Sequence, residues 1–126
     1  MSGEYLENRT FDEIRVGDSA SLVRSLTDQD LRLFAAVSGD VNPTHVDEAY
    51  ARRFLSGRLV GHSLWGGALI SGVLGTKLPG PGTVYVSQDL RFLGPVRVGD
   101  TVTATVAVEV QPVPSGKETS IVAAHK

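Results

Sequence analysis

Apolar side chains recur at every second position from Thr101 to Val110, with Val102, Ala104, Val106, Val108 and Val110 on one face. That alternation predicts a strand with one buried side. Thr83 to Phe92 reads as the preceding strand, Lys117 to Ala124 as the following one, and Pro112 to Gly116 as a turn. Ser19 to Leu26 is a first strand with poorer alternation. Elsewhere the period lengthens. Leu31, Phe34, Ala35 and Val37 have near-helical spacing; Thr27 serves as N-cap, Asp30 closes a variant capping box, and Gly39 supplies the stop. A short helix is expected from about Asp47 to Arg53, where Asp47 and Glu48 suit the positive end of the helix dipole. Trp65 to Leu78 is apolar nearly all round, which predicts a helix buried on most faces. Its glycines, Gly66, Gly67, Gly72 and Gly75, cost about 1 kcal/mol each in helix propensity, so other backbone is expected to pack close. Pro79-Gly80-Pro81-Gly82 ends it. A strand, then helices, then an antiparallel meander imply an α+β domain with a helix packed on a curled sheet.

The 126 residues suffice for one domain with one core, spanning 1–126. A formal charge of −2, with Lys and Arg scattered, argues against nucleic-acid binding. Cysteine is absent, which removes disulfides, thiolate nucleophiles and Cys-based zinc sites together. His45, His62 and His125 lack metal-ligand spacing, so no bound metal is expected. The polar N-terminus is not a signal peptide, and the apolar run Ala68 to Leu74 is broken by Ser71 and Gly72. A cytoplasmic protein without membrane association follows as the expectation.

Candidate chemistry sits between the first two helices, in Asp40-Val41-Asn42-Pro43-Thr44-His45, which reads as a loop. Pro43 biases Asn42 away from the helical region and Gly39 permits an unusual turn. A carboxylate and an imidazole are thereby held five residues apart on a constrained segment. Such a pair can take a proton from water and return one elsewhere, since His titrates near neutral pH. Gly61-His62-Ser63-Leu64 enters the apolar helix, whose first N–H groups can polarise a carbonyl without a charged side chain. Taken alone, an Asp in the place of Asp40 is most often a helix-end cap, and His62, among apolar neighbours, reads as structural. Gly61-His62-Ser63-Leu64-Trp65 also fails as a nucleophile elbow, because Trp65 replaces the second glycine. No G-x-G-x-x-G or P-loop pattern is present.

The run Phe34 to His45, followed by Ala51, resembles the signature loop of (R)-specific enoyl-CoA hydratases and MaoC-like dehydratases. The likeness extends from about Phe11 through Val110, including Gly57 to His62 and Leu74 to Gly82. It implies a hotdog fold, an antiparallel sheet wrapped around a central buried helix, and a homodimer binding a CoA thioester. The implied reaction is reversible addition of water to a trans-2-enoyl-CoA to give an (R)-3-hydroxyacyl-CoA, with no cofactor. By the same resemblance Asp40 and His45 activate the water, Asn42 supports the loop, the Ser63 N–H binds the thioester oxygen, and Ser71 lines the acyl pocket. Thr44 and Ser63 depart from the usual aliphatic residue and glycine. Family members usually continue through one more strand beyond the position of Lys126. Glu4 to Asp12 and Trp65-Gly66-Gly67 also resemble MaoC-like domains fused to a phosphate acetyltransferase.

Three other functions fit the same fold. A 3-hydroxyacyl-carrier-protein dehydratase differs only in the carrier. A thioesterase of this fold usually places a carboxylate on the central helix, and Trp65 to Leu78 has none. A non-catalytic acyl-binding or dimerisation module would tolerate loss of Asp40 or His45, yet both are present.

Overall fold

A computed structural model of the chain describes residues 6–110 and 120–125, with side chains through residue 109. Among the described residues, a short 3-10 helix (Phe11–Glu13) precedes three strands, β1 (Ser19–Ser25), β2 (Thr101–Val110) and β3 (Ser120–His125), and four α-helices, α1 (Asp28–Ser38), α2 (Pro43–Val46), α3 (Glu48–Phe54) and α4 (Ser63–Thr76), in the order β1-α1-α2-α3-α4-β2-β3. The sheet order is β1-β2-β3, with β2 and β3 antiparallel from Ala104↔His125 to Val110↔Ser120. Hydroxyl pairs Ser21–Thr105 and Ser25–Thr101, at 2.9 and 2.8 Å, cross from β1 to β2 and also run in antiparallel register.

The period-two reading of β2 holds through Val108: Val102, Ala104, Val106 and Val108 are buried, and the side chain of Val110 lies outside the described residues. Each buried valine contributes roughly 1.5–3 kcal/mol of transfer free energy. Thr27 caps α1, its side chain accepting from the Asp30 N–H while Asp30 accepts from the Thr27 N–H, at 3.1 and 3.0 Å. Gly39 ends α1 with φ 77°, a left-handed conformation that glycine takes without steric cost. Asp47 caps α3 by accepting from the Tyr50 N–H at 3.0 Å.

Packing groups the chain into two compact units. The first comprises Met1–Leu22, Ala68–Asp89 and Thr103–Lys126. Its core includes Ile14, Leu78 and Val108, with Ala20 packed against them. The second comprises Val23–Gly67 and Leu90–Val102. It buries Leu26, Leu31, Ala35, Ala51, Leu59 and Trp65, together with one polar residue, His62. Here Arg58 closes a loop by donating to the Val98 carbonyl at 2.8 Å and to Asp100 Oδ1 at 2.7 Å.

Four expectations from the sequence need revision. Thr83 to Phe92 carries no regular secondary structure, because a strand requires a hydrogen-bonded neighbour and none pairs with it among the described residues. Its apolar side chains stay open, with Val84 81% and Val86 78% exposed. Helix α4 buries Trp65, Leu69, Val73 and Leu74, but in the single chain it exposes Leu64, Ala68, Ser71 and Gly75. Close backbone packing does not explain its glycines: a Cβ at Gly66 or Gly75 would meet nothing within 4 Å, and at Gly67 or Gly72 only side chains. Finally, Pro43–Val46 is a helical turn rather than loop, because Pro43 supplies a preset φ at its first position and Asn42 caps it. The expected turn Pro112 to Gly116 lies outside the described residues.

Candidate functional site

The segment after α1 is tied at nearly every polar atom. Ser38 Oγ donates to the Phe34 carbonyl at 2.7 Å and accepts from the Asp40 N–H at 3.1 Å. Asp40 Oδ1 accepts from the Asn42 N–H at 3.2 Å, leaving Oδ2 for other work. Asn42 takes φ −52° and ψ 132°, outside the helical region as Pro43 requires. Its Oδ1 accepts from both the Thr44 N–H and hydroxyl, at 3.0 and 2.9 Å, which starts α2. Asn42 therefore acts as a support for the segment, and Thr44, unusual at its position, joins that support.

Helix α2 presents His45 inward. Its backbone N–H donates to the Asn42 carbonyl at 2.9 Å. The imidazole lies 2.6 Å through Nδ1 from the Val60 carbonyl. A carbonyl can only accept, so Nδ1 carries the proton in that bond and Nε2 is left for chemistry. Nε2 lies 3.8 Å from Asp40 Oδ2; the His45 side chain is 12% exposed and that of Asp40 53%. This separation is too long for a direct hydrogen bond. One water molecule can bond to both atoms across such a gap.

The structure adds His62, which the sequence suggested was merely structural. It is buried, its Nε2 donates to the Asp40 carbonyl at 2.9 Å, and its ring stacks on His45 with centroids 3.8 Å apart at 25°. Phe34 lies against it, with ring centroids 4.8 Å apart. Nδ1 of His62 has no hydrogen-bond partner among the described residues. The signal available in the sequence was its position between Gly61 and the start of a helix.

Asp40, His45 and His62 bring potential metal-ligand atoms within 4.8 Å of one another, which the spacing along the chain did not reveal. The stacked rings are poorly disposed for a shared ion. Imidazole nitrogens bind metal in the ring plane at about 2.1 Å, and two nearly parallel rings cannot both place one ion in plane. Proton transfer between the half-open carboxylate and His45 Nε2 suits the arrangement better.

Gly61 sets the approach to α4. A Cβ there would lie 2.6 Å from Leu26 Cδ2 and 3.3 Å from the Val96 carbonyl oxygen, and Leu26 is buried. Gly61→Ala is expected to cost about 1–3 kcal/mol through overpacking. Urea denaturation of the two proteins at one temperature measures it.

Ser63 is the first residue of α4, and its side chain is exposed. Among the described residues its backbone N–H meets no protein acceptor, whereas the Trp65 N–H donates to the His62 carbonyl at 2.9 Å. Ser63 thus offers a donor at the positive end of a 14-residue helix. Ser71 lies about two turns further along α4 with its side chain exposed. Of the residues singled out from sequence, Asp40, Asn42 and His45 form one bonded cluster. Ser63 directly follows His62 in the chain, and Ser71 joins no hydrogen bond of the cluster.

Residues 15–126 match the family described as MaoC like domain. The chain is 48% identical over 108 residues to an (R)-specific enoyl-CoA hydratase of Rhodospirillum rubrum, covering 86% of this chain and 75% of the relative. It is similar in structure to the unliganded R-hydratase of Pseudomonas aeruginosa, with TM-score 0.81, 37% identity, and 92% and 82% of the two chains covered. It is also similar to the (R)-hydratase from A. caviae involved in PHA biosynthesis, with TM-score 0.77, 33% identity, and 89% and 93% covered.

Proposed function

The chain belongs to the MaoC-like domain family and has its hotdog fold, and from that membership we propose that it is an enoyl-CoA hydratase. The reaction adds water across the C2–C3 double bond of a trans-2-enoyl-CoA to give an (R)-3-hydroxyacyl-CoA, reversibly. The observation that carries this reading is the facing pair Asp40 Oδ2 and His45 Nε2, 3.8 Å apart on a braced segment.

A water molecule held by both atoms attacks C3. One of the pair takes its proton and the pair delivers a proton to C2, so that H and OH are added in full and nothing else is consumed. Negative charge builds on the thioester oxygen as the water attacks. The Ser63 N–H, at the start of α4, is the donor for that oxygen. Asn42 holds the segment, and Ser71 on the open face of α4 lines the acyl path.

Family membership and the close hydratase relative support an acyl-CoA substrate. A homodimer is the assembly we infer. The open apolar residues of the Thr83 to Phe92 segment support it, since a strand-like pattern that pairs with no strand among the described residues is a surface that a second copy can cover. Among the described residues no helix is long and apolar enough to cross a membrane.

The test is the ultraviolet absorbance of the conjugated thioester in crotonyl-CoA. Absorbance is expected to fall on adding the protein, with no free thiol released. Release of thiol in step with the fall would replace hydration with thioester hydrolysis.

A further inference from the structure

We propose that His62 is a positioning residue for the water-activating pair, holding Asp40 in place through its Nε2–H bond to the Asp40 carbonyl. This deepens the hydratase reading and rests on it. His62 is the buried polar residue of its unit, and burying an imidazole without a structural return is costly. Its side chain touches both members of the pair: Nε2 donates to the Asp40 carbonyl at 2.9 Å, and its ring covers one face of His45 at 3.8 Å. Asn42 also reaches both members, but through its backbone N–H and carbonyl, which no side-chain change removes.

The consequences for geometry are direct. Asp40 is half-exposed at the end of a helix, where a carboxylate ordinarily samples several rotamers. Its N–H is held by Ser38 Oγ, its Oδ1 by the Asn42 N–H and its carbonyl by His62, so Oδ2 is left facing His45 Nε2. Without the His62 bond the peptide after Asp40 is free to rotate, and the 3.8 Å gap that admits a water is no longer maintained. His62 also immediately precedes Ser63. One residue thereby links the position of the water-activating pair to that of the amide assigned to the thioester oxygen. Phe34 and His45 fix the His62 ring from its surroundings.

The test separates the N–H from the bulk of the ring. His62→Phe keeps an aromatic ring in the cavity and removes the donor; His62→Gln supplies an amide N–H in place of Nε2–H. Crotonyl-CoA hydration is followed across pH for wild type and both variants, and the 13C shift of the Asp40 carbonyl is read by NMR in each. His62→Phe is expected to lose on the order of 10- to 100-fold in kcat through misplacement of the pair, with KM within about threefold. The shape of its pH–rate profile changes from that of wild type, because the geometry of the pair has changed. His62→Gln returns to within about fivefold of wild-type kcat, and its Asp40 carbonyl shift matches wild type while that of His62→Phe does not. Wild-type rates and an unchanged pH–rate profile in His62→Phe would overturn the proposal. So would equal impairment of the two variants, which would make the loss one of packing. If wild type itself leaves crotonyl-CoA unchanged, the hydratase reading falls. The carbonyl shift then decides for His62: displacement in His62→Phe with recovery in His62→Gln sustains the positioning role, and three identical shifts end it.

Discussion

Replacing Asp40 by Asn, or His45 by Ala, is expected to reduce the rate of crotonyl-CoA hydration on the order of 10²-fold or more while leaving the protein folded. Asp40→Asn is nearly isosteric. Its Oδ1 can still accept from the Asn42 N–H, so the braced segment survives and only the capacity to take a proton at the second atom is lost. His45→Ala removes Nε2 from the water site and leaves the Val60 carbonyl without its side-chain donor. With the proposed sharing of one bridging water, the double variant should be scarcely slower than the worse single variant. Independent, multiplying losses would instead assign the two residues to separate steps. Unchanged rates in both single variants, with the fold confirmed by circular dichroism, would remove the pair from the chemistry.

The second large effect concerns a backbone atom. Ser63→Pro is expected to lower kcat on the order of 10²- to 10³-fold, the loss typical of one missing oxyanion donor, whereas Ser63→Ala should stay within about threefold. The contrast rests on position. At the first residue of a helix proline fits without breaking an intrahelical bond, since that N–H has no intrahelical partner. Ser63 occupies that position in α4, and its N–H has no protein acceptor among the described residues. Proline therefore deletes the proposed thioester contact and preserves the helix. Alanine deletes the hydroxyl and preserves the contact. Equal activity of the two variants would place the thioester oxygen elsewhere. A greater loss in Ser63→Ala would give the hydroxyl a role that the exposed side chain does not suggest.

Much of this fold was legible because its signals are local. The alternation in Thr101 to Val110, the Thr27–Asp30 capping box, the left-handed Gly39 and the Asp47 cap each involve residues within a few positions of one another. Local sterics and hydrogen bonding decide such features before any tertiary contact forms. The braced segment from Asp40 to His45 belongs with them, since Pro43 and Asn42 act on their immediate neighbours. Its helical turn was missed because the turn is only four residues long and opens on a proline usually read as a breaker.

What the sequence could not supply was anything set by distance along the chain. Thr83 to Phe92 has the composition of a strand, but strand formation depends on a hydrogen-bonding neighbour, which alternation alone does not provide. The glycines of α4 suggested close backbone contact, but Gly66 and Gly75 face open space in the single chain and Gly67 and Gly72 meet only side chains. His62 is the clearest case. Twenty-two residues separate it from Asp40, yet it bonds the Asp40 carbonyl and stacks on His45. The sequence by itself determined which residues could move a proton and held two of them on one stiff segment. Tertiary packing decided how far apart their reactive atoms stand, because that distance depends on a buried ring, the Val60 carbonyl and the start of α4, brought together only when the chain folds.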